Sequence, residues 1–333
     1  MKRLFLFSVL AIGFIACRKD TKPEPAPEPA PTITCPPAGC NDPDTVFVAS
    51  GTGPYLIFQF KFDSTQARLN NVGMPSTIPS TNAACSPRFN KMSAHYIELA
   101  PDDFTPVGGG KVLYRASETN CDGGENAISF CQSVVVREGK TFFAIPFSAI
   151  TPGTYKWLRV SLAYQNYDIP YINSVSTGSI TQWGTLASFL GFNTYVNQYK
   201  IKNVMAVPSS STGGAGNHKQ GYWGFETMIS SFTYTTDGQP PAGATTVVNP
   251  LNSTSPIPAG SCLVTGEFYS MSSSSNAPLV ITGSESADKI ITVSLSTNKS
   301  FEWVDNKSYP GYFEPVAGEF PVDMGIRGMM AKY

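Results

Sequence analysis

From about residue 50 onward the chain alternates apolar and polar positions in short runs. In Tyr55 to Phe62, the residues Leu56, Phe58, Phe60 and Phe62 alternate with Tyr55, Ile57, Gln59 and Lys61. A period of two puts the phenylalanines on one face of a strand, directed at a core. Met92 to Leu99, Lys111 to Arg115, Ala127 to Val136 and Thr141 to Phe147 read as further strands, separated by Gly108 to Gly110, Gly123-Gly124 and Glu138-Gly139. Pro152-Gly153 opens the most regular run, Thr154 to Tyr164, in which Leu158, Val160, Leu162 and Tyr164 oppose Tyr155, Trp157, Arg159 and Ser161. Strands are also predicted at Tyr222 to Tyr234, Ser261 to Tyr269, Leu279 to Thr282, Lys289 to Leu295 and Lys299 to Val304. Gln182 to Phe192 is the one stretch with helical spacing, through Trp183, Leu186, Phe189 and Leu190. Asn70 to Arg88 reads as a long loop, and Ser209 to Gly216 as a Ser/Gly loop where a subdomain boundary would fall. Short strands at this spacing predict an all-β fold, an antiparallel β-sandwich with long loops, over residues 44–333.

The first 43 residues follow another logic. Lys2 and Arg3 precede an apolar stretch from Leu4 to Ile15, and Ala16 stands directly before Cys17. Residues 1–16 read as a signal peptide, too short for a comfortable membrane span. A small residue before cysteine resembles the bacterial lipobox, which implies a lipoprotein acylated with palmitate-type chains on Cys17. At roughly 0.8 kcal/mol per buried methylene, several acyl chains hold a protein on a bilayer where a single chain binds only marginally. Arg18 after the cysteine, rather than Asp, resembles outer-membrane sorting, so the expected address is the cell envelope, at the outer membrane. Residues 17–43 include Lys-Pro-Glu-Pro-Ala-Pro-Glu-Pro-Ala-Pro, a semi-rigid polyproline tether that rises about 3.1 Å per residue.

Composition narrows the picture further. Only 14% of residues are charged, and Lys2 and Arg3 leave with the leader, so 23 basic against 24 acidic residues becomes a net charge near −3. No basic patch points to nucleic acid as a partner. Beyond Cys17 six cysteines remain, Cys35, Cys40, Cys85, Cys121, Cys131 and Cys262, an even number in an oxidising compartment. Disulfides are the expected use. Six cysteines allow fifteen full pairings. Cys35–Cys40 and Cys121–Cys131 are close enough in sequence to staple local loops, and Cys85–Cys262 then follows by elimination.

Candidate chemistry is sparse. The chain has two histidines, His95 and His218, and no Gly-x-Ser-x-Gly, His-Glu-x-x-His or Walker sequence. His95 falls by period two on the face of Ile97 and Leu99, the position of a core histidine or a metal ligand. His218, in a glycine-rich loop, reads as exposed. Asp102-Asp103, Asp122 with Glu125, and Asp42 with Asp44 sit in turns, where such residues are favoured and where Ca²⁺ also finds oxygen ligands. The aromatics Tyr164, Tyr167, Tyr171, Trp183 and Trp223 crowd one third of the chain beside Gln165, Asn166 and Asp168. Rings next to amides suit a ligand-binding surface, such as one for glycans, while core or sheet packing is the ordinary use of aromatics in strands.

Phe58-Gln59-Phe60-Lys61-Phe62-Asp63, Met92-Ser93-Ala94-His95-Tyr96-Ile97-Glu98-Leu99, and Pro152-Gly153-Thr154-Tyr155 running into Leu158-Arg159-Val160 occur in an order that resembles MbnP-like domains among Bacteroidota lipoproteins. The resemblance covers about Tyr55 to Val160. It implies a β-sandwich associated with periplasmic copper, for which His95 and His218 are the nitrogen candidates here. Three expectations result: a non-enzymatic, lipid-anchored module that binds a ligand or partner through its aromatic region; a copper- or calcium-binding protein; and a glycan-binding or glycan-processing lipoprotein acting through a carboxylate pair.

Overall fold

A computed structural model of the chain describes residues 47–49, 51–69, 74–121, 127–175, 178–239 and 262–333. The signal peptide, Cys17, the tether, Cys35 and Cys40 lie outside these residues. All described residues belong to one unit, Ile33–Tyr333.

The fold is all-β, and no α-helix occurs among the described residues. Ten strands carry the architecture: β1 (Tyr55–Asp63), β2 (Arg88–Ala100), β3 (Thr141–Pro146), β4 (Trp157–Val175), β5 (Gly178–Ser188), β6 (Trp223–Ile229), β7 (Phe232–Gly238), β8 (Cys262–Ser270), β9 (Lys289–Ser296) and β10 (Met329–Lys332). They hydrogen-bond in the order β3-β1-β9-β10-β8-β4-β5-β6-β7, with β2 on the other edge of β4. Pairing is mostly antiparallel, but β1–β9 and β8–β10 run parallel. The 19-residue β4 organises the molecule. Its first half lies between β2 and β8, and its second half extends beyond β8 to pair with β5 from Gln165 to Val175.

The main core is sandwiched between β1, β3, β9 and β10 on one side and β2, β4 and β8 on the other. The alternation expected in β1 is realised, with Leu56, Phe58 and Phe60 buried and the Phe60 ring stacked on Phe142 at 3.9 Å. A second core lies where Tyr167, Ile169, Tyr171 and Leu186 meet Phe301, Trp303, Phe313 and Met324. The latter group comes from a small sheet of Asn82–Cys85, Phe301–Val304 and Pro321–Asp323, with the loop that leads into it. A third cluster packs Tyr164 with Phe130, Phe189, Tyr199 and Tyr222.

Several expectations change at this level. Gln182 to Phe192 is not a helix: through Ser188 it is strand β5, held by ladders to β4 and β6 on both sides. Tyr222 to Tyr234 is broken by a two-residue turn at Ser230-Ser231 into the hairpin β6–β7. The Asn70 to Arg88 stretch contributes a strand, Asn82–Cys85. Tyr164 does not share a face with Leu162. Along β2 and β4 the register advances unequally at three points, leaving Asn90, His95 and Ala163 as extra, unpaired residues. Each such bulge inverts the inside-outside alternation beyond it. Ala163 therefore turns Tyr164 away from the main core, and His95 is set off the face of Ile97 and Leu99.

Cys85 and Cys262 are free, so the expected bridge between them is not formed. Cys262 packs in the main core and Cys85 beside the second core. Burial pushes both thiols up to about 12. Cys121 and Cys131 each take part in a disulfide; the Gly123-Gly124 stretch that the expected Cys121–Cys131 pairing would span lies outside the described residues.

Candidate functional site

The second half of β4 and strands β5, β6 and β7 form a four-stranded ribbon. Directly opposed residues in an antiparallel ladder share a face. Ile169, Gly184, Thr227 and Tyr234 form one row of that face, and Tyr167, Leu186, Phe225 and Thr236 the next. The small sheet covers this face over β4 but leaves it open over β6 and β7. The 3₁₀ turn Pro315–Ala317 borders the opening, and the Ile172 N–H donates to the Phe313 carbonyl (2.7 Å), fixing the approach to that turn against β4.

At the border of covered and open face is a groove of about 360 Å³, within the range that takes a small ligand or a large side chain. Tyr171 and Asn173 of β4 and Phe225 and Thr227 of β6 line it on one side, Tyr234 of β7 and Val316 on others. None of its lining side chains is charged. Phe225 can lie across β5 because residue 184 is glycine, where a β-carbon would fall 2.1 Å from Phe225 Cζ. The Phe225 and Tyr171 rings meet edge to face at 5.6 Å. The Tyr171 hydroxyl is fixed between Gln182 Oε1 and Thr227 Oγ1, both at 2.9 Å, and its acidity is lowered by burial. Asn173 is different. It is 5% exposed, yet its Nδ2 has no hydrogen-bond partner. The groove is thus uncharged and aromatic-walled, with an unanswered amide donor among its lining residues.

Of the five aromatics singled out in the sequence, only Tyr171 lines this groove. Tyr164 is in the third cluster, with its hydroxyl accepting from Asn166 (3.2 Å), and Tyr167 is in the second core. Trp183 is on the opposite face of the ribbon, covered by the Arg88 guanidinium 4.0 Å from its ring centroid. Trp223 packs beside the second core. Asn173, Phe225, Thr227 and Tyr234 join the lining without a motif that marks them in the sequence. The available signal was the period of two, which places Asn173 on the face of Tyr171.

The histidines do not converge. His95 is 1% exposed, and Nε2 donates to Glu118 Oε1 (2.9 Å) while Nδ1 has no partner. Arg115 grips the same carboxylate from Nε (2.8 Å) and Nη2 (3.0 Å). Burial alone would raise the Glu118 pKa; the hydrogen bonds and charges of His95 and Arg115 outweigh it and bring it to about 2. His218 is buried rather than exposed, with Nε2 on the Gly214 carbonyl (2.8 Å) and its ring against Tyr222. Glu118, Ile128, Thr194 and His218 form one row across four strands, so Glu118 and His218 stand roughly 14 Å apart at the usual strand spacing. No group of three or more His, Cys, Asp or Glu able to hold a metal occurs among the described residues.

The described carboxylates singled out above are engaged locally. Asp102 caps its own turn by accepting from the Phe104 and Thr105 amides, and Asp103 pairs with Lys156 (2.9 Å). Glu302 and Asp323 are directly opposed on adjacent strands, but Arg68 pairs with Glu302 and Arg327 lies 2.6 Å from Asp323, making a neutral ion cluster. Asp122, Glu125, Asp42 and Asp44 lie outside the described residues.

No protein-family model, curated protein or solved structure matches the chain.

Proposed function

We propose that the chain is a non-enzymatic binding module of the cell envelope, held to the outer membrane through Cys17, whose groove takes a neutral ligand with an apolar body and a hydrogen-bond acceptor. The observation that carries this reading is the buried, unpartnered Asn173 Nδ2 in an uncharged aromatic groove. Leaving a buried donor unsatisfied costs about 1–3 kcal/mol, and a ligand that draws the Asn173 side chain toward the groove and supplies the acceptor recovers that cost. A charged ligand would lose its hydration here and meet no counter-ion. The lipid anchor is supported by the leader and its Ala16-Cys17 junction, and the tether by the Pro/Glu repeat that follows.

The test uses N-acetyl-L-phenylalaninamide, a neutral aromatic with amide acceptors. Titration should saturate in the millimolar range expected of so small a ligand and weaken roughly 2- to 10-fold in Asn173→Ala, the loss of one hydrogen bond. N-acetyl-aspartate should not compete. Equal binding by wild type and Asn173→Ala, or equal binding of the anionic analogue, would remove the basis of the reading.

A further inference from the structure

Strand β7 ends the ribbon, and its outer edge has no strand partner among the described residues. The β6–β7 hairpin closes on Ile229 and Phe232, so those two exchange ladder bonds, as do Thr227 with Tyr234 and Phe225 with Thr236. Thr233 and Thr235 therefore point their N–H and C=O groups away from β6. Among the described residues no backbone bond reaches either residue from outside the strand, and residues 232–236 are all exposed. Natural edges are commonly blunted by lysine, proline, a bulge or a covering loop. Among the described residues, Phe232 to Thr236 carries none of these. Its groove-side residues are instead two exposed rings, Phe232 (69%) and Tyr234 (51%), and Tyr234 is also a wall of the groove.

We infer that β7 is a docking edge for an extended, uncharged polypeptide segment of a partner, which adds as a further strand and presents its alternate apolar side chains to Phe232, Tyr234 and the mouth of the groove. This rests on the reading of the groove as a binding site and names its occupant as polypeptide. Backbone pairing to Thr233 and Thr235 would supply affinity, and the side chains beside the rings would supply selectivity. The absence of charge along Phe232 to Thr236 and in the groove favours uncharged residues in the partner. A second copy of β7 fits less well. Its Tyr234 is already a wall of its own groove, so a second copy would bring no free apolar side chain on that register to the groove mouth.

The probe is the blocked peptide acetyl-Val-Thr-Phe-Thr-Val-Thr-amide, added to the full chain and followed by hydrogen–deuterium exchange. Saturating peptide should slow exchange of the β7 amides at least 10-fold, and Thr235→Pro, which deletes an outward N–H that the β6 ladder does not use, should abolish the effect. Thr235→Lys is the second variant should the proline disturb folding, and it should weaken the peptide at least 10-fold. The inference is overturned if the peptide binds without slowing β7, if Thr235→Lys binds as wild type, or if β7 is already protected to the level of β5 without peptide. It is also overturned if the chain forms a dimer that Thr235→Lys dissolves, since the occupant is then a second copy. Binding of N-acetyl-L-phenylalaninamide without any peptide effect removes the edge and keeps the groove. Peptide protection of β7 that Val316→Asp leaves unchanged removes the groove and keeps the edge.

Discussion

Asn173 couples stability to recognition through one side chain. Because its Nδ2 is buried without a partner, an apolar replacement of similar size removes a desolvation cost rather than a bond. Asn173→Leu should stabilise the free protein by about 1 kcal/mol in urea denaturation while weakening N-acetyl-L-phenylalaninamide. A destabilised Asn173→Leu would mean that the amide has a partner in the free protein. Glu118 gives a pH signature. Its carboxyl titrates near 2 in the fold against an ordinary value of 4.5, so the fold binds fewer protons than the unfolded chain between these values. The stabilisation is complete above about 4.5 and is lost as pH falls through about 2. Glu118→Gln should flatten stability across that window, measured by denaturation at several pH values, and an unchanged slope would exclude Glu118 as its source. The two free thiols provide a third check. Raised to about 12 by burial, Cys85 and Cys262 should react with a thiol reagent at pH 8 only slowly in the folded protein, and rapidly once it is denatured.

At the scale of elements, the alternation in the sequence was legible where strands are regular and misleading beyond each bulge. Leu56, Phe58 and Phe60 face the core as the period predicts. One extra residue at Ala163 moves Tyr164 to another cluster, and nothing in Leu162-Ala163-Tyr164 signals it, because the extra residue is set by pairing with a strand 70 positions earlier. The helical spacing of Trp183, Leu186, Phe189 and Leu190 was overridden in the same way: β5 has two ladder partners, and Leu186 and Ala187 enter cores on opposite faces of the ribbon. Gly184 tests how β5 supports the groove. Gly184→Ala would drive a methyl group into the Phe225 ring, at a cost of about 1–3 kcal/mol for an overpacked site. It should lower the urea midpoint and displace Phe225, so probe binding should fall more than in Gly191→Ala, a strained control outside the ribbon face. Equal losses in the two variants would separate the groove from β5.

At the scale of the whole chain, the all-β class was readable from turn-separated short runs, whereas the groove was not, because it joins β4, β6 and β7 to a turn at Pro315–Ala317. Such a site depends on which face the small sheet leaves uncovered, a fact of long-range packing. The proposed address is the reverse case, resting on the first 17 residues alone. Cys17→Ala should leave the protein unacylated and release or mislocalise it, as read by fractionation; a variant that stays membrane-bound and normally processed would refute the lipid anchor. The most direct measurement of the central claim is the position of the bound probe. Intermolecular nuclear Overhauser effects from N-acetyl-L-phenylalaninamide should connect its ring to Tyr171 and Phe225 and its acetyl group to the Asn173 side-chain amide. Contacts confined to Trp183 on the opposite face, with none to Tyr171, Phe225 or Asn173, would contradict it.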